Sequence, residues 1–557
     1  MSRRKIHRSL VFLLFIALFT LYSAELSQVI PTYYTDDDVF GPLSIKFSLV
    51  LLACVMISSI VIFLTYGNTG HGDSSSVLHY LVAVLPLLFK YLLPNALDAY
   101  YVTNFYDAVG HMTRGAYVSI TGHSDPSVDA YFDLQPGFFW WTSVFVNVIW
   151  GPPGSRYSPV FEVLIKHFNM LFLSLSIPMV ICLFRAIGLT ISESFIAYSI
   201  FTLISYGRFH YSAQAYTYLL YWVFLVLLFK SMKGNILRSS LFVSIILVAI
   251  SLVFLHQGST LYSLISIFSL LIASILSRLR NHRGNLNFLA IVFLTFSATW
   301  LSYLAYMTIF TFRNFIDVLM RVYDKILEGG GGIVAKSIER PYMLWQNVVI
   351  FKAVFFTGMT VLSLTVLIVY ATKKRPGISS HLLAVSLGIV LALSPIALSL
   401  GGAGYIERIY EILTPFVSFS LLLPLRENRM RKGMKARVLL LTLITISSTL
   451  GYCIYFSGWN FQSVTYSGYL TDKFVIEHGP NIALTYSQLP LNSMLELNAR
   501  NVDLRPNQFY LVQLHDEIYF LYYIAGSSEI VYEVKVRIIN DASIIYSSKT
   551  SVLAYKS

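Results

Sequence analysis

Apolar runs separated by short polar gaps dominate the chain. Runs of bilayer-crossing length, with shorter ones near 200 and 220, predict helices over 10–30, 44–66, 77–96, 160–184, 194–206, 217–230, 238–256, 259–277, 286–311, 348–371, 380–400, 405–425 and 437–456. The two segments around 200–225 are short and read as a broken pair. Against this background 104–123, NFYDAVGHMTRGAYVSITGH, stands out. Asp107, His111 and Arg114 recur at spacings of four and three, which puts them on one side of a helix. Phe105, Val109, Met112, Ala116 and Ile120 fall on the opposite side. The pattern predicts an amphipathic helix lying at the membrane interface, its apolar stripe on lipid or on the bundle and its polar side toward water or a cavity.

Beyond 458 the pattern changes. The tail is less apolar and carries short β-prone runs, FYLVQL, IYFLYYIA, IVYEVKVRII and SIIYSS, broken by Gly, Asn, Asp and Pro. About a hundred residues suffice for a small domain. The expected organisation is a transmembrane helical domain over 1–457 and an external β-rich domain over 458–557.

Composition agrees. Of 557 residues, 56% are hydrophobic and 12% charged, with mean hydropathy +0.66; soluble domains carry roughly twice that charged fraction. The expected class is an α-helical polytopic membrane protein of about 13 spans. The formal charge of +12 suggests nucleic acid only until its distribution is read. Arg3, Arg4, Lys5 and Arg8, then Lys230, Lys233 and Arg238, then Arg278, Arg280 and Arg283, then Lys373, Lys374 and Arg375, then Arg426 through Arg437, all occupy gaps on one side of the predicted topology. The positive-inside rule therefore puts the N-terminus in the cytoplasm and the tail outside, in a multi-pass protein of the plasma membrane. The outer segments are 31–42, the long loop 97–157, the loop 311–342 and the tail. A cleaved signal peptide is the other reading of the N-terminus, but Tyr22 fits poorly in a small-x-small site ending at Ala24. Cys54, Cys182 and Cys453 all lie in apolar runs and read as small buried residues.

Candidate chemistry concentrates on the outer side. The polar side of 104–123 is either a solvated face or part of a site. It holds one Asp, one His and one Arg instead of the usual Lys/Glu mixture, and DAYFDLQPGFFWWTSVF follows, with Asp133 ahead of an aromatic cluster. GGAGYIERIYEILTP, 401–415, places Arg408 at the outer end of a span, where a guanidinium suits phosphate oxygens. Glu407 and Glu411 flank it, so a structural ion pair is an equal reading. His256, in VFLHQGSTL between two spans, and Arg208 and His210 also face outward; each is a turn residue or a ligand. Asp36 and Asp38, in a run of three Asp, are the candidates for a divalent cation, Mg²⁺ or Mn²⁺; an ordinary acidic turn before Gly41 and Pro42 is the alternative. HExxH, Walker, Rossmann and CxxC patterns are absent from the sequence, so proteases, ATPases and redox enzymes lack a motif.

The external loop with Asp107 in an interfacial helix, His111 four residues on, Gly122-His123 and then YFD…PGFFWW resembles the integral-membrane glycosyltransferases of the GT-C superfamily. The many-span layout and small external tail are similar too. The resemblance implies a hexosyl- or pentosyltransferase that takes sugar from a polyprenyl- or dolichyl-phosphate donor to a glycan, lipid or protein acceptor. It implies inversion at the anomeric carbon and Asp107 as base. His111, Arg114, Asp133, Arg408, Glu407 and His256 would contact substrate. The WWDYG signature of that superfamily's oligosaccharyltransferases is not present; SGWNFQ is the nearest passage and lacks the acid. The alternatives are a transporter or flippase, expected to bind at mid-membrane, and a glycan polymerase or ligase.

Overall fold

The computed structural model describes residues 100–102, 106–125, 131–150, 159–205, 211–233, 239–278, 286–306, 320, 343–373, 378–399, 403–426, 442, 445–446, 450, 464–465, 508–513, 543–547 and 551–556. The predicted spans 10–30, 44–66 and 77–96, most of 437–456, the outer segment 31–42 with Asp36 and Asp38, nearly all of 311–342, and Arg208 and His210 lie outside the described residues.

All nine predicted spans from 160–184 to 405–425 fall on helices of the described residues. They are α4 (Pro159–Ala186), α5 (Ile191–Ile204), α6 (Ala213–Lys233), α7 (Ser239–Leu255), α8 (Gln257–Arg278), α9 (Leu286–Tyr306), α10 (Met343–Lys373), α11 (Ile378–Ser399) and α12 (Ala403–Arg426). Ahead of them come β1 (Tyr100–Val102), α1 (Tyr106–Thr121), α2 (Tyr131–Leu134) and α3 (Pro136–Trp150). Among the described residues four helices, α6, α8, α9 and α10, contain 20-residue stretches apolar enough to cross a membrane. This is a helical membrane protein. The pair around 200–225 resolves into α5, only 14 residues long, and the full-length α6.

Local chemistry sets the boundaries. Pro136 and Pro159 stand at first helical positions, where the missing N–H costs nothing. Helix α4 ends at Gly188, whose φ of 100° is left-handed. The N–H of Leu189 returns to Phe184 O at 3.0 Å and that of Gly188 to Arg185 O at 3.1 Å, a paired closure that satisfies the last carbonyls. Two residues on, Thr190 caps α5: Glu193 N donates to Thr190 Oγ1 at 3.3 Å and Thr190 N to Glu193 Oε2 at 2.8 Å.

The helices pack as neighbours along the chain, α6 with α4 and α7, α8 with α9, and α11 with α10 and α12. Longer-range pairings join α8 to α11, α10 to α12 and α5 to α12. Tyr410 of α12 donates to Ile204 O of α5 at 3.0 Å. Outward positions are apolar, as lipid contact requires: Val243, Leu247, Leu294, Leu301, Val354, Val361 and Leu391 are all exposed. Cys182, expected to be buried, is exposed on α4. An apolar run does not reveal which of its sides faces lipid, and a thiol is apolar enough for either.

The N-terminal end of α3 packs against the C-terminal end of α7. A Cβ added at Gly137 would lie 3.1 Å from Phe254 Cβ and 3.1 Å from its carbonyl oxygen, so glycine permits this approach. In the described tail, β2 (Val464–Thr465) pairs antiparallel with β1, Tyr100 opposite Thr465. Strands β3 (Gln508–Gln513), β4 (Ser543–Ser547) and β5 (Ser551–Lys556) form an antiparallel sheet in the order β3-β5-β4. They fall on two of the β-prone runs of the sequence, FYLVQL and SIIYSS, and on the C-terminal SVLAYK.

Candidate functional site

Helices α1 and α3 pack on each other, and α3 touches α7 at Gly137 and Phe254 and α6 at Trp141 and Tyr216, whose ring centroids are 4.7 Å apart. The turn from α7 to α8 is a single residue, His256. Its Nδ1 accepts the backbone N–H of Ser259 at 3.1 Å, so the imidazole caps α8. A ring nitrogen that accepts a backbone N–H carries no proton, so the neutral ring holds its proton on Nε2. Glycine at 258 allows this: a Cβ there would lie 2.8 Å from His256 Cε1. Ser259 Oγ lies 3.1 Å from the same nitrogen and 2.7 Å from Thr217 Oγ1 of α6.

Burial first, then the charges of Arg408 and His111, push the pKa of His256 from 6.5 to about 3. Those charges act on His256 from α12 and α1, elements far apart in sequence. Arg408 is exposed between buried neighbours, Glu407 at 4% and Ile409 at 7%. Its charge also reaches Tyr218 of α6, which is fully buried.

Helix α1 is not a solvated amphipath: Ala116 of its apolar stripe is 5% exposed, and the polar side is covered as well. His111 is 4% exposed and Arg114 7%, and Val118, on the same side, is 0% exposed. The polar face therefore points into the protein and away from bulk water. His111 meets Phe138 edge-on, with centroids 5.7 Å apart, and Phe139 at 6.0 Å. Phe138 in turn packs on Tyr211 at 5.2 Å, and Tyr211 donates to Thr142 Oγ1 at 2.6 Å. Ser119 donates to Asn147 Oδ1 at 2.8 Å, closing α1 onto α3. The sequence showed which residues share a side of α1 but not that α3 would cover it.

Asp107 is on the described backbone of α1, one turn before His111, and Asp133 is on that of α2; their side chains lie outside the described part. Among the described residues no three His, Cys, Asp or Glu gather as a metal site. The exposed guanidinium of Arg408 suits an anion, with the carboxylates of Glu407 and Glu411 buried on the same helix.

Three contributors escaped the sequence reading: Gln214, Tyr218 and Gly258. Gln214 and Tyr218 sit one turn apart in the aromatic run AQAYTYLLYWVF of α6. Their polar atoms inside a span were the available signal, since such groups must find partners there.

No family model and no curated protein matches the chain. Among solved structures it is similar to the oligosaccharyltransferase of Archaeoglobus fulgidus, crystallised with zinc and sulfate, with a TM-score of 0.48 and 11% identity. The similarity covers 82% of this chain and 59% of that one, so the chain spans about three fifths of that protein's length.

Proposed function

We propose that the protein is a membrane glycosyltransferase that moves a sugar from a polyprenyl-phosphate donor to an acceptor hydroxyl at the outer face. The observation that carries this reading is the exposed position of Arg408 in the first turns of α12, from which its charge acts on His256 in the α7–α8 turn. An exposed guanidinium there suits the oxygens of a membrane-held phosphate. Neutral His256 adds an Nε2–H donor without a second charge.

In the reaction, the Asp107 carboxylate takes the acceptor's proton as the acceptor oxygen bonds to the anomeric carbon. The bond from that carbon to the phosphate oxygen breaks in line, which inverts the configuration. Arg408 neutralises the departing lipid phosphate. Arg114, Asp133 and Glu407 shape the acceptor side, the loop 311–342 closes over the substrates, and 458–557 forms an external β-rich domain. The protein lies in the plasma membrane with its N-terminus in the cytoplasm. Asp36 and Asp38 would hold Mg²⁺ or Mn²⁺ if the reaction requires one. Glu407, Arg408 and Glu411 all lie in the first three turns of α12, an outer-end placement that favours an interfacial enzyme over a mid-membrane transporter.

The test is transfer by vesicles bearing the protein, supplied with polyprenyl-phosphate-linked sugars. D107N should lower turnover by about 10²–10⁴-fold with the melting temperature unchanged. Wild-type turnover in D107N would refute the assignment of the base.

A further inference from the structure

Three side-chain amides around the site have partners. Gln257 Nε2 donates to Val253 O at 2.9 Å, and its Oε1 accepts the indole N–H of Trp300 at 2.6 Å. Gln214 Nε2 donates to the Tyr218 hydroxyl oxygen, and Tyr218 to Glu411 Oε2 at 3.1 Å. Asn147 Oδ1 accepts from Ser119. All three are half-buried, so water also reaches them. Gln135, in the turn from α2 to α3, differs. It is 8% exposed, and its Oε1 is shut off from the surface and meets no donor among the described residues. A buried amide oxygen without a donor is rare and costly, and its persistence points to a partner that the folded chain does not supply.

Its place in the fold narrows that partner. Phe138 N donates to Gln135 O at 3.2 Å, which sets the residue at the head of α3. In the next turn Phe138 and Phe139 meet the ring of His111. Gly137 lies against Phe254, two residues before His256. Gln135 therefore stands beside the contacts that join α3 to α1 and α7. Leu134, Pro136 and Gly137 next to it are half-exposed, so the amide lies just beneath the surface. The partner must donate a hydrogen bond, and a neutral one fits best. Phe132, Phe138 and Phe139 in the same stretch are all buried, and a cation brought there would lose its hydration for one amide oxygen.

We infer that Gln135 is a specificity-determining residue whose Oε1 accepts a hydrogen bond from one hydroxyl of a bound sugar. This rests on the glycosyltransferase reading, which supplies such hydroxyls from the donor sugar and from the acceptor. The residue acts chiefly by exclusion. A sugar that lacks the hydroxyl leaves the oxygen buried and unpaired, so it binds worse than its parent. Gln135 takes no proton and has no part in holding the phosphate.

The experiment measures binding to the full-length protein in nanodiscs. The probes are polyprenyl-phosphate glucose, galactose, mannose and arabinose, the methyl glycosides of the same sugars, the monodeoxy analogues of both sets, and bare polyprenyl phosphate. The variant is Q135M, which keeps the length of the side chain and removes the oxygen. Wild type should bind one sugar about tenfold more tightly than one of its deoxy analogues, the size expected when a buried acceptor is left unpaired. Q135M should weaken that sugar about tenfold, bind it no better than the deoxy analogue, and leave bare polyprenyl phosphate unchanged. The effect on a lipid-linked sugar assigns the contact to the donor, and on a methyl glycoside to the acceptor. Without ligand, Q135M should melt at or above the wild-type temperature, because an unpaired polar group is gone. A lower melting temperature would mean that the amide is already satisfied in the free protein and overturns the inference. A deoxy penalty that persists in Q135M, or equal weakening of bare polyprenyl phosphate, also overturns it and leaves the glycosyltransferase reading standing. Wild-type protein that binds no methyl glycoside, and no lipid-linked sugar better than bare polyprenyl phosphate, overturns both.

Discussion

Helices α1 and α3 belong to the same loop and are built in opposite senses. In α1 an imidazole and a guanidinium are buried, the imidazole against the rings of α3. In α3 the rings Phe138 and Phe139 face inward, while Trp140, Val144, Val148 and Ile149 form an outward stripe, Val148 at 79% exposure. A soluble helical pair would reverse both choices. The difference identifies the surroundings: the outer side of α3 fits lipid tails, and the covered side of α1 serves a polar interior that the bundle closes off. The segment 97–157, expected as an outer loop with an interfacial helix, thus contains a second helix suited to the membrane. At 15 residues α3 is too short to cross it, since a span takes roughly 20.

The largest test of this contrast is a charge on the stripe. V148D should cost about 2–3 kcal/mol in membrane integration and reduce the amount of protein recovered from membranes, whereas V148F should leave it unchanged. A well-integrated V148D protein would place the stripe in water.

Next in size is the acid response of the interior side. Folding lowers the His256 pKa from 6.5 to about 3, so between those values the unfolded chain binds the extra proton. Stability from this group is complete above pH 6.5 and is lost as pH falls toward 3. Unfolding followed across that window should show a steeper acid slope for the wild type than for H256Q. Equal slopes would mean that His256 is not held neutral.

The smallest effect is expected at Gly258. G258A pushes a methyl into the His256 ring and should cost about 1 kcal/mol, read as a modest drop in melting temperature. No change would mean that the imidazole does not fold back over the helix end.

Much of this architecture is legible in the sequence, and the reasons are physical. The apolar runs from 160 to 425 are long, and basic residues cluster in the gaps between them, so hydropathy and charge locate the helices. Boundaries are less legible: α10 extends from Met343 to Lys373, beyond the predicted 348–371, because its first turns carry the polar Gln346 and Asn347. At the site, His111, His256 and Arg408 stand out as polar groups among apolar neighbours. Gln214 and Tyr218 do not, because an aromatic run hides them and their partner Glu411 lies almost two hundred residues away. Periodicity gives the sides of a helix; only packing tells which side is covered, and the buried polar face of α1 is the result.

The central claim is that one chamber at the outer membrane boundary gathers His111, His256 and Arg408 around a lipid phosphate. The most direct measurement is an experimental structure of the protein in nanodiscs containing a polyprenyl monophosphate. The predicted result is a phosphate within hydrogen-bond reach of Arg408 and His256 Nε2, with Asp107 lining the same chamber and the prenyl chain leaving toward lipid. A phosphate bound elsewhere, or Arg408 and His256 found on separate surfaces, would contradict it.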